Sequence, residues 1–315
     1  MSESRTHPVS GPETLLPSWR PGPTRDAIVS FLEATADVAI EDRVACFDND
    51  GTLWCERPHY VQLEFLLDVL RSAVAADPRV ADGEEFAALL SGDQEAIGAI
   101  GIERIGMALT GLLAGISPEV FRERARAFLA RAAHPTLGRR LRECTYQPML
   151  ELIEELRARD FSVCIATGGG TDFVRAVSLD LYGVAPEAVV GTLLAYDVVS
   201  VADGGPSLVR TARLLGDANE GPAKVTNIQT QLGRRPILAV GNSAGDRDML
   251  AWAANGMGPR LAVLLDHDDD EREFAYQSLA ATIADSEPIT AVAERAGWTV
   301  VSMARDWEQV FATTT

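Results

Sequence analysis

Cysteine is scarce in this chain. The four residues Cys46, Cys55, Cys144 and Cys164 form no Cys-x-x-Cys pair, which argues against a zinc knuckle or a dithiol redox motif. Cys46 and Cys164 fall inside apolar runs of strand type, where a thiol packs as a small hydrophobe. Histidine is equally sparse, and His59, His134 and His267 show no ligand-like spacing, so they read as surface or cap residues. Long apolar runs are missing: none approaches the roughly 18 residues needed to span a bilayer. The opening residues Met1 to Arg25 are polar and rich in Pro and Ser, without the apolar centre of a secretory signal. No membrane partner and a cytoplasmic location are therefore expected. Positive charge is also short, with 28 basic against 46 acidic residues and a net charge of −18. That balance argues against a broad nucleic-acid surface, because phosphates would be repelled. The acidic run Asp266-His267-Asp268-Asp269-Asp270-Glu271 reads as an exposed loop leading into a helix.

What the chain does have is 47% hydrophobic residues and a mean hydropathy of +0.03 over 315 residues. This length allows one large domain or a core with a second lobe, and it is enough to bury a sizeable interior. Ala27, Ile28, Phe31 and Leu32 recur at helical spacing, and the apolar run Val44 to Phe47 follows. From about His59 to Arg140 the pattern is helical, broken at Asp77-Pro78, Ser91-Gly92-Asp93 and Gly115. Ser117-Pro118 makes a good helix start. From Pro148 onward strands and helices alternate. A helix precedes the strand Phe161 to Ala166, and Thr167 to Gly170 turns into a helix that stops at Gly183. A short strand follows at Val189 to Gly191, then a hairpin from Tyr196 to Val201 and Ser207 to Thr211 across Asp203-Gly204-Gly205. Pro222 opens a helix closed by Gly233. Strands at Pro236 to Val240 and Leu261 to Leu265 come next, then two helices and a last strand from Trp298 to Met303. The expected fold class is α/β, a doubly wound, mainly parallel Rossmann-like sheet with an inserted α-helical lobe. The expected division is a first core part over 1–57, the helical insert over 58–144, and a second core part over 145–315. There is no internal repeat.

Three strands end in polar or glycine-rich clusters: Asp48-Asn49-Asp50, Thr167-Gly168-Gly169, and Asn242 through Asp246. In a parallel sheet all three fall on one edge, where ligands sit. Asp48 and Asp50, two apart on an extended chain, point to the same side. They suit a hard cation or a nucleophile with an acid beside it, and a solvated Asp-Asn-Asp-Gly turn is the alternative.

These clusters resemble, in order, the four motifs of the haloacid dehalogenase superfamily, specifically its phosphatase branch. Asp48 to Thr52 matches Asp-x-Asp-Gly-Thr, Thr167 matches the Thr or Ser that ends an apolar strand, and Lys224 matches the Lys early in a helix. Gly241 to Asp246 matches Gly-Asp-x-x-x-Asp with one departure, Asn242 in the first acidic position. An alternative register takes Gly245-Asp246 as the acidic pair with Asp248 behind it. The match covers roughly residues 40 to 265. The helical insert looks like that superfamily's first type of cap, and the surroundings of Thr167 are similar to its phosphoserine phosphatase-like members.

The resemblance implies a Mg²⁺-dependent phosphomonoesterase. Asp48 would form an aspartyl-phosphate, and Asp50 would protonate the leaving alcohol and then deprotonate the attacking water. Thr167 and the Gly168 backbone N–H would bind phosphate oxygens, and Lys224 would offset their charge. Mg²⁺ would be held by Asp48, the Asp50 carbonyl, and Asn242 or Asp246. The substrate expected is a small phosphorylated metabolite, with phosphoserine one candidate by resemblance. Dehalogenase chemistry fits less well because it does not need Asp50. The competing readings are a phosphotransferase sharing the first half-reaction, and a phosphate- or metal-binding protein that has lost turnover through Asn242. The roles of Trp54, Glu56 and Arg57 and the oligomeric state are left open by the sequence.

Overall fold

In the computed structural model the residues described are 15–200, 204–278 and 287–312. The start of the polar N-terminal segment, Val201 and the turn residue Asp203 lie outside them. The chain opens with helix α1 (Pro23–Ala34) and strand β1 (Val44–Phe47). Five helices follow: α2 (Val61–Ala76), α3 (Glu84–Ser91), α4 (Gln94–Ile100), α5 (Ile102–Gly111) and α6 (Pro118–Arg131). Next come α7 (Gln147–Ala158), β2 (Ser162–Gly170), α8 (Thr171–Arg175), α9 (Ser178–Tyr182) and β3 (Val189–Thr192). The hairpin β4 (Leu194–Ser200) and β5 (Pro206–Leu214) leads to α10 (Pro222–Leu232), β6 (Leu238–Gly241) and α11 (Arg247–Ala254). Strand β7 (Leu261–Asp266), α12 (Ile289–Ala296), β8 (Thr299–Ser302) and α13 (Met303–Asp306) finish the described chain.

Six strands form one parallel sheet in the order β3-β2-β1-β6-β7-β8, and β4 pairs antiparallel with β5 outside it. The sheet has a separate core on each face, as the period of two along a strand requires. Ala45, Phe47, Ile165, Val240 and Leu265 pack on one face, with Ile28 of α1, Leu152 of α7 and the inserted helices. Val44, Cys46, Cys164, Ala239 and Leu264 pack on the other, with Ile228 of α10, Met249 of α11 and Val292 of α12. Because every side chain of β1 is buried, this strand reads as a continuous apolar run instead of alternating. Strand order reverses at β1, with β2 and β3 to one side and β6 to β8 to the other. The crevice at its carboxyl end is therefore the place for a ligand.

The helical insert is tied to the sheet by aromatic contacts. Phe65 of α2 stacks on Phe173 of α8 at 5.3 Å between ring centroids and meets Phe121 of α6 edge-on at 5.7 Å, while Trp54 lies 6.3 Å from Phe173. Such pairs contribute about 0.5–1.5 kcal/mol each beyond their area burial. The Ser117 side chain caps α6 by accepting from Val120 N.

Three expectations need correction. Gly168 to Gly170 are not a strand-to-helix turn. They continue β2 past an irregularity, and Gly170 pairs with Thr192 of β3. The helix expected to run on to Gly183 is split into α8 and α9, although Gly183 does end α9 in the left-handed conformation. Of the two helices expected between β7 and β8, α12 is seen, and the stretch 279–286 ahead of it lies outside the described residues. The acidic run is a loop only in part exposed: Asp268, Asp270 and Glu271 face solvent while His267 and Asp269 are buried, and no helix follows it among the described residues up to 278. Asp268 accepts from Ser302 Oγ and Ala304 N and so ties the loop to the start of α13, while Asp269 accepts from Arg272 N as a local turn bond.

Candidate active site

The carboxyl end of β1 carries the centre of the site. Asp48 N still donates to Val240 O of β6 at 2.8 Å, so the strand holds the Asp48 backbone in register. The chain then turns, with Leu53 N donating to Asn49 O at 2.8 Å and Gly51 N to Trp54 O at 2.9 Å. Gly51 has φ +73°, and a Cβ there would come within 2.0 Å of Asn242 Nδ2 and 2.8 Å of Glu56 Oε1, so only glycine fits. On the neighbouring strand end, a Cβ at Gly241 would meet Asp246 Cγ at 2.6 Å. The two loops are thus packed backbone against side chain.

Lys224 joins three elements. It stands in the first turn of α10, whose start is fixed by Gly221 N donating to Gly245 O at 2.8 Å. Its Nζ donates to Asp48 Oδ1 at 2.8 Å and to Asp246 Oδ1 at 2.5 Å. Lys224 is fully buried, not the surface lysine its helix position alone suggests. Asp246 uses its other oxygen, Oδ2, for Asn242 N and Ser243 N, both at 3.0 Å, and for Ser243 Oγ at 3.2 Å. Asp248 lies on α11 beside Arg247, which favours the register with Asn242 in the first acidic position.

Asp50 accepts from Trp54 Nε1 at 2.8 Å and from Asn49 Nδ2 at 3.3 Å. Thr167 Oγ1 accepts from Gly169 N at 2.9 Å, and a Cβ at Gly169 would lie 3.7 Å from Asp50 Oδ2, so the end of β2 adjoins the same space. Asn219 donates to both Thr167 O (2.9 Å) and Val190 O (3.2 Å), locking β2 and β3 together there. The structure therefore brings Asp48, Asp50, Thr167, Gly168, Lys224, Asn242 and Asp246 to one crevice.

Electrostatics follow from burial. Three carboxylates, Asp48, Asp50 and Asp246, face one ammonium. Burial pushes the Asp48 carboxyl well above its ordinary range, the charge of Asp246 adds to this, and Lys224 opposes it. Burial also raises Asp50, against the hydrogen bonds from Trp54 and Asn49. For Lys224, burial pulls the pKa down, but Asp246 and Asp48 outweigh it and the net shift is upward. Lys224 thus holds its charge more tightly than a free lysine, and both Asp48 and Asp50 bind a proton more readily than an ordinary carboxylate.

Asn242 faces Glu56. Its Nδ2 donates to Glu56 Oε1 at 3.1 Å and to Ser278 Oγ at 3.3 Å, while its Oδ1 accepts from Thr52 Oγ1 at 3.4 Å. Glu56 Oε1 also accepts from Tyr276 OH at 2.8 Å. Burial raises the Glu56 carboxyl, opposed by the charge of His267. Among the described residues no three His, Cys, Asp or Glu side chains form a metal-holding group.

Sequence reasoning missed several supporting residues. His134 and His267, expected at the surface or on the helical insert, are buried. His267 Nε2 donates to Gly51 O at 2.8 Å, and its Nδ1 faces Glu273 Oε2 at 3.3 Å. Tyr146 OH donates to Glu273 Oε1 at 2.9 Å, and despite burial Glu273 is held below its ordinary range by His267. Trp54 holds Asp50, Glu56 holds Asn242, and the Arg57 guanidinium stacks on Tyr276 at 4.2 Å. The run Trp54 to Arg57 directly after Asp48–Thr52 was the available signal for these; nothing local marked Asn219 or Glu273.

The family described as haloacid dehalogenase-like hydrolases matches residues 45–251, about two thirds of the chain and the whole of the site apart from the 267–278 segment. The chain belongs to the haloacid dehalogenase-like hydrolases. Two of the solved structures that this chain is similar to share its fold. A protein of unknown function from Bordetella pertussis Tohama I is 17% identical, with 82% of this chain and 97% of that chain covered and a TM-score of 0.51. A conserved, functionally unknown protein from Anaerococcus prevotii DSM 20548 is 13% identical, covering 86% and 88% at a TM-score of 0.53. A probable phosphoserine phosphatase from Vibrio cholerae is a looser likeness: 17% identity, 82% and 68% covered, TM-score 0.39. No curated protein matches in sequence.

Proposed function

We propose that this hydrolase is a Mg²⁺-dependent phosphatase acting on a small phosphorylated metabolite through an aspartyl-phosphate on Asp48. The observation that carries the reading is Lys224 Nζ bridging Asp48 and Asp246 beside Asp50 and Thr167. Asp48 attacks phosphorus as the ester P–O bond breaks, and Asp50 gives its proton to the departing alcohol oxygen. Water then attacks the phosphorus of the acyl phosphate, Asp50 takes the water's proton, and the Asp48 carboxylate and phosphate are released. Thr167 and the Gly168 N–H hold phosphate oxygens, and Lys224 lowers the repulsion between phosphate and Asp48. The helices of residues 58–144 act as a cap that limits water and selects the alcohol.

A divalent cation fits the donor set. Every group offered is oxygen, the buried Asp48 and Asp246 and the half-buried Asp50 face one ammonium, and a dianionic phosphate would add to the surplus. Asp48, the Asp50 carbonyl and Asn242 Oδ1 would hold it, whereas both oxygens of Asp246 are already taken by Lys224, Asn242 N and Ser243. Glu56 Oε1 accepts from Asn242 Nδ2 and so fixes the amide that stands in the first acidic position. When bound, the ion neutralises phosphate charge in the transition state.

The purified protein is expected to hydrolyse a generic aryl phosphate, and Asp48→Asn or EDTA is expected to abolish turnover. Binding of vanadate or beryllium fluoride without hydrolysis of any phosphate ester would replace this reading with a phosphate-binding one.

A further inference from the structure

The one departure from the acidic pattern of the site, Asn242, has a buried partner that the pattern does not contain. Asn242 is 1% exposed and Glu56 8%. Asn242 Nδ2 donates to Glu56 Oε1 at 3.1 Å and to Ser278 Oγ at 3.3 Å, and the same Glu56 oxygen accepts from Tyr276 OH at 2.8 Å. Tyr276 is held in turn. Its ring stacks on His267 at 4.4 Å between centroids, and the Arg57 guanidinium lies 4.2 Å from its centre. A Cβ at Gly51 would meet both Asn242 Nδ2 and Glu56 Oε1, so the pair lies directly against the backbone that follows Asp50.

The two ends of an amide are chemically different, and Glu56 decides which end faces where. Glu56 Oε1 already accepts from Tyr276 OH, so it presents a lone pair, and the end of Asn242 turned to it has to be the NH2 donor. Asn242 Oδ1 is thereby turned the other way, where it accepts from Thr52 Oγ1 at 3.4 Å. That oxygen is the only atom of the side chain able to ligate a hard cation. An aspartate at 242 would instead set a second carboxylate against Glu56. Two like charges so close in a buried place repel strongly, and one of the two side chains would be pushed out of position.

We infer that Glu56 is the positioning residue of the 242 metal ligand, and that the two residues are a matched pair: the amide stands where an acid is expected because Glu56 occupies the place beside it. This rests on the phosphatase reading above, which puts Asn242 Oδ1 on the divalent cation. Asn242 is then no defect of the site, and restoring the aspartate alone damages it.

The test is Mn²⁺ binding without substrate, followed by the electron paramagnetic resonance signal of the free ion, in wild type, Asn242→Asp, Glu56→Gln and the double variant. Mn²⁺ takes the same oxygen ligands as Mg²⁺. Asn242→Asp is expected to weaken binding about tenfold or more, the range typical when the support of a metal ligand is lost. Glu56→Gln keeps an oxygen acceptor for Asn242 and is expected to bind like wild type. The double variant reverses donor and acceptor, with the new amide at 56 donating to the new carboxylate at 242, and is expected to recover wild-type affinity or better. Should Asn242→Asp not fold, Glu56→Met removes the acceptor without adding charge and is expected to lose about tenfold. Tighter binding by Asn242→Asp with Glu56 in place, or one affinity across all folded variants, overturns the inference and leaves the phosphatase reading intact. A wild type that binds no Mn²⁺ overturns both, because that reading itself requires a cation.

Discussion

Two acidic stretches of this hydrolase look alike in sequence and do opposite things. Asp48-Asn49-Asp50 ends β1 with its carboxylates crowded around one lysine, and burial raises both Asp48 and Asp50. The 266–271 run ends β7, and two of its carboxylates are spent on structural donors: Asp268 on Ser302 Oγ and Ala304 N, Asp269 on Arg272. A carboxylate satisfied by fixed backbone donors is a strut. One held by a shared cation beside a second acid can move charge and protons. The two stretches also touch, because His267 of the second holds the Gly51 carbonyl of the first. The strut fixes the loop that carries Asp48 and Asp50.

The largest separation between them comes from Lys224→Met. It leaves Asp48 and Asp246 as uncompensated buried charges, and breaking a buried pair costs about 3–5 kcal/mol. Loss of measurable hydrolysis together with a large drop in denaturant midpoint is expected; a variant as stable as wild type would contradict the buried charge pair. Asp50→Asn removes the proton carrier, and hydrolysis should fall by about 10²–10⁴-fold. The same variant should be more stable at neutral pH. Raised carboxyl pKa values mean that the folded state binds protons more tightly than the unfolded one, so Asp48 and Asp50 lose stability as pH rises from the ordinary carboxylate range through their raised folded-state values. Thermal melts across that range should slope downward in the metal-free wild type and less so in Asp50→Asn.

Effects in the strut should be smaller and structural. His267→Ala leaves the Gly51 carbonyl and Glu273 without their buried partner, at about 1–3 kcal/mol, and it should lower kcat only several-fold by loosening the Gly51 turn. Asp270→Ala, on an exposed position of the same loop, should stay within about 0.5 kcal/mol of wild type. Equal losses in both variants would mean that the loop acts through its charge and not through His267.

The sheet and most of its strands were legible because buried parallel strands are short apolar runs flanked by turns, as at Val44 to Phe47 and Leu261 to Leu265. Lys224, Thr167 and Asp246 were legible because they stand at fixed places on those elements. The continuation of β2 through Gly168 to Gly170 was not, since three glycines have no side-chain pattern and the pairing with Thr192 is a tertiary choice. His267, Glu273 and Asn219 were illegible for a related reason: each works through a hydrogen bond to a residue far away in sequence, and a local pattern holds no trace of it. The burial of Asp269 likewise reverses what an acidic run suggests in isolation.

The central claim is that Asp48 becomes covalently phosphorylated. Rapid quenching of the protein during turnover of an aryl phosphate, borohydride reduction and mass spectrometry of the peptide bearing position 48 tests it directly, because a reduced acyl phosphate leaves homoserine there. The account predicts reduction at position 48 alone, dependent on substrate. Turnover with an unmodified Asp48 peptide, or reduction at Asp50 instead, would contradict it.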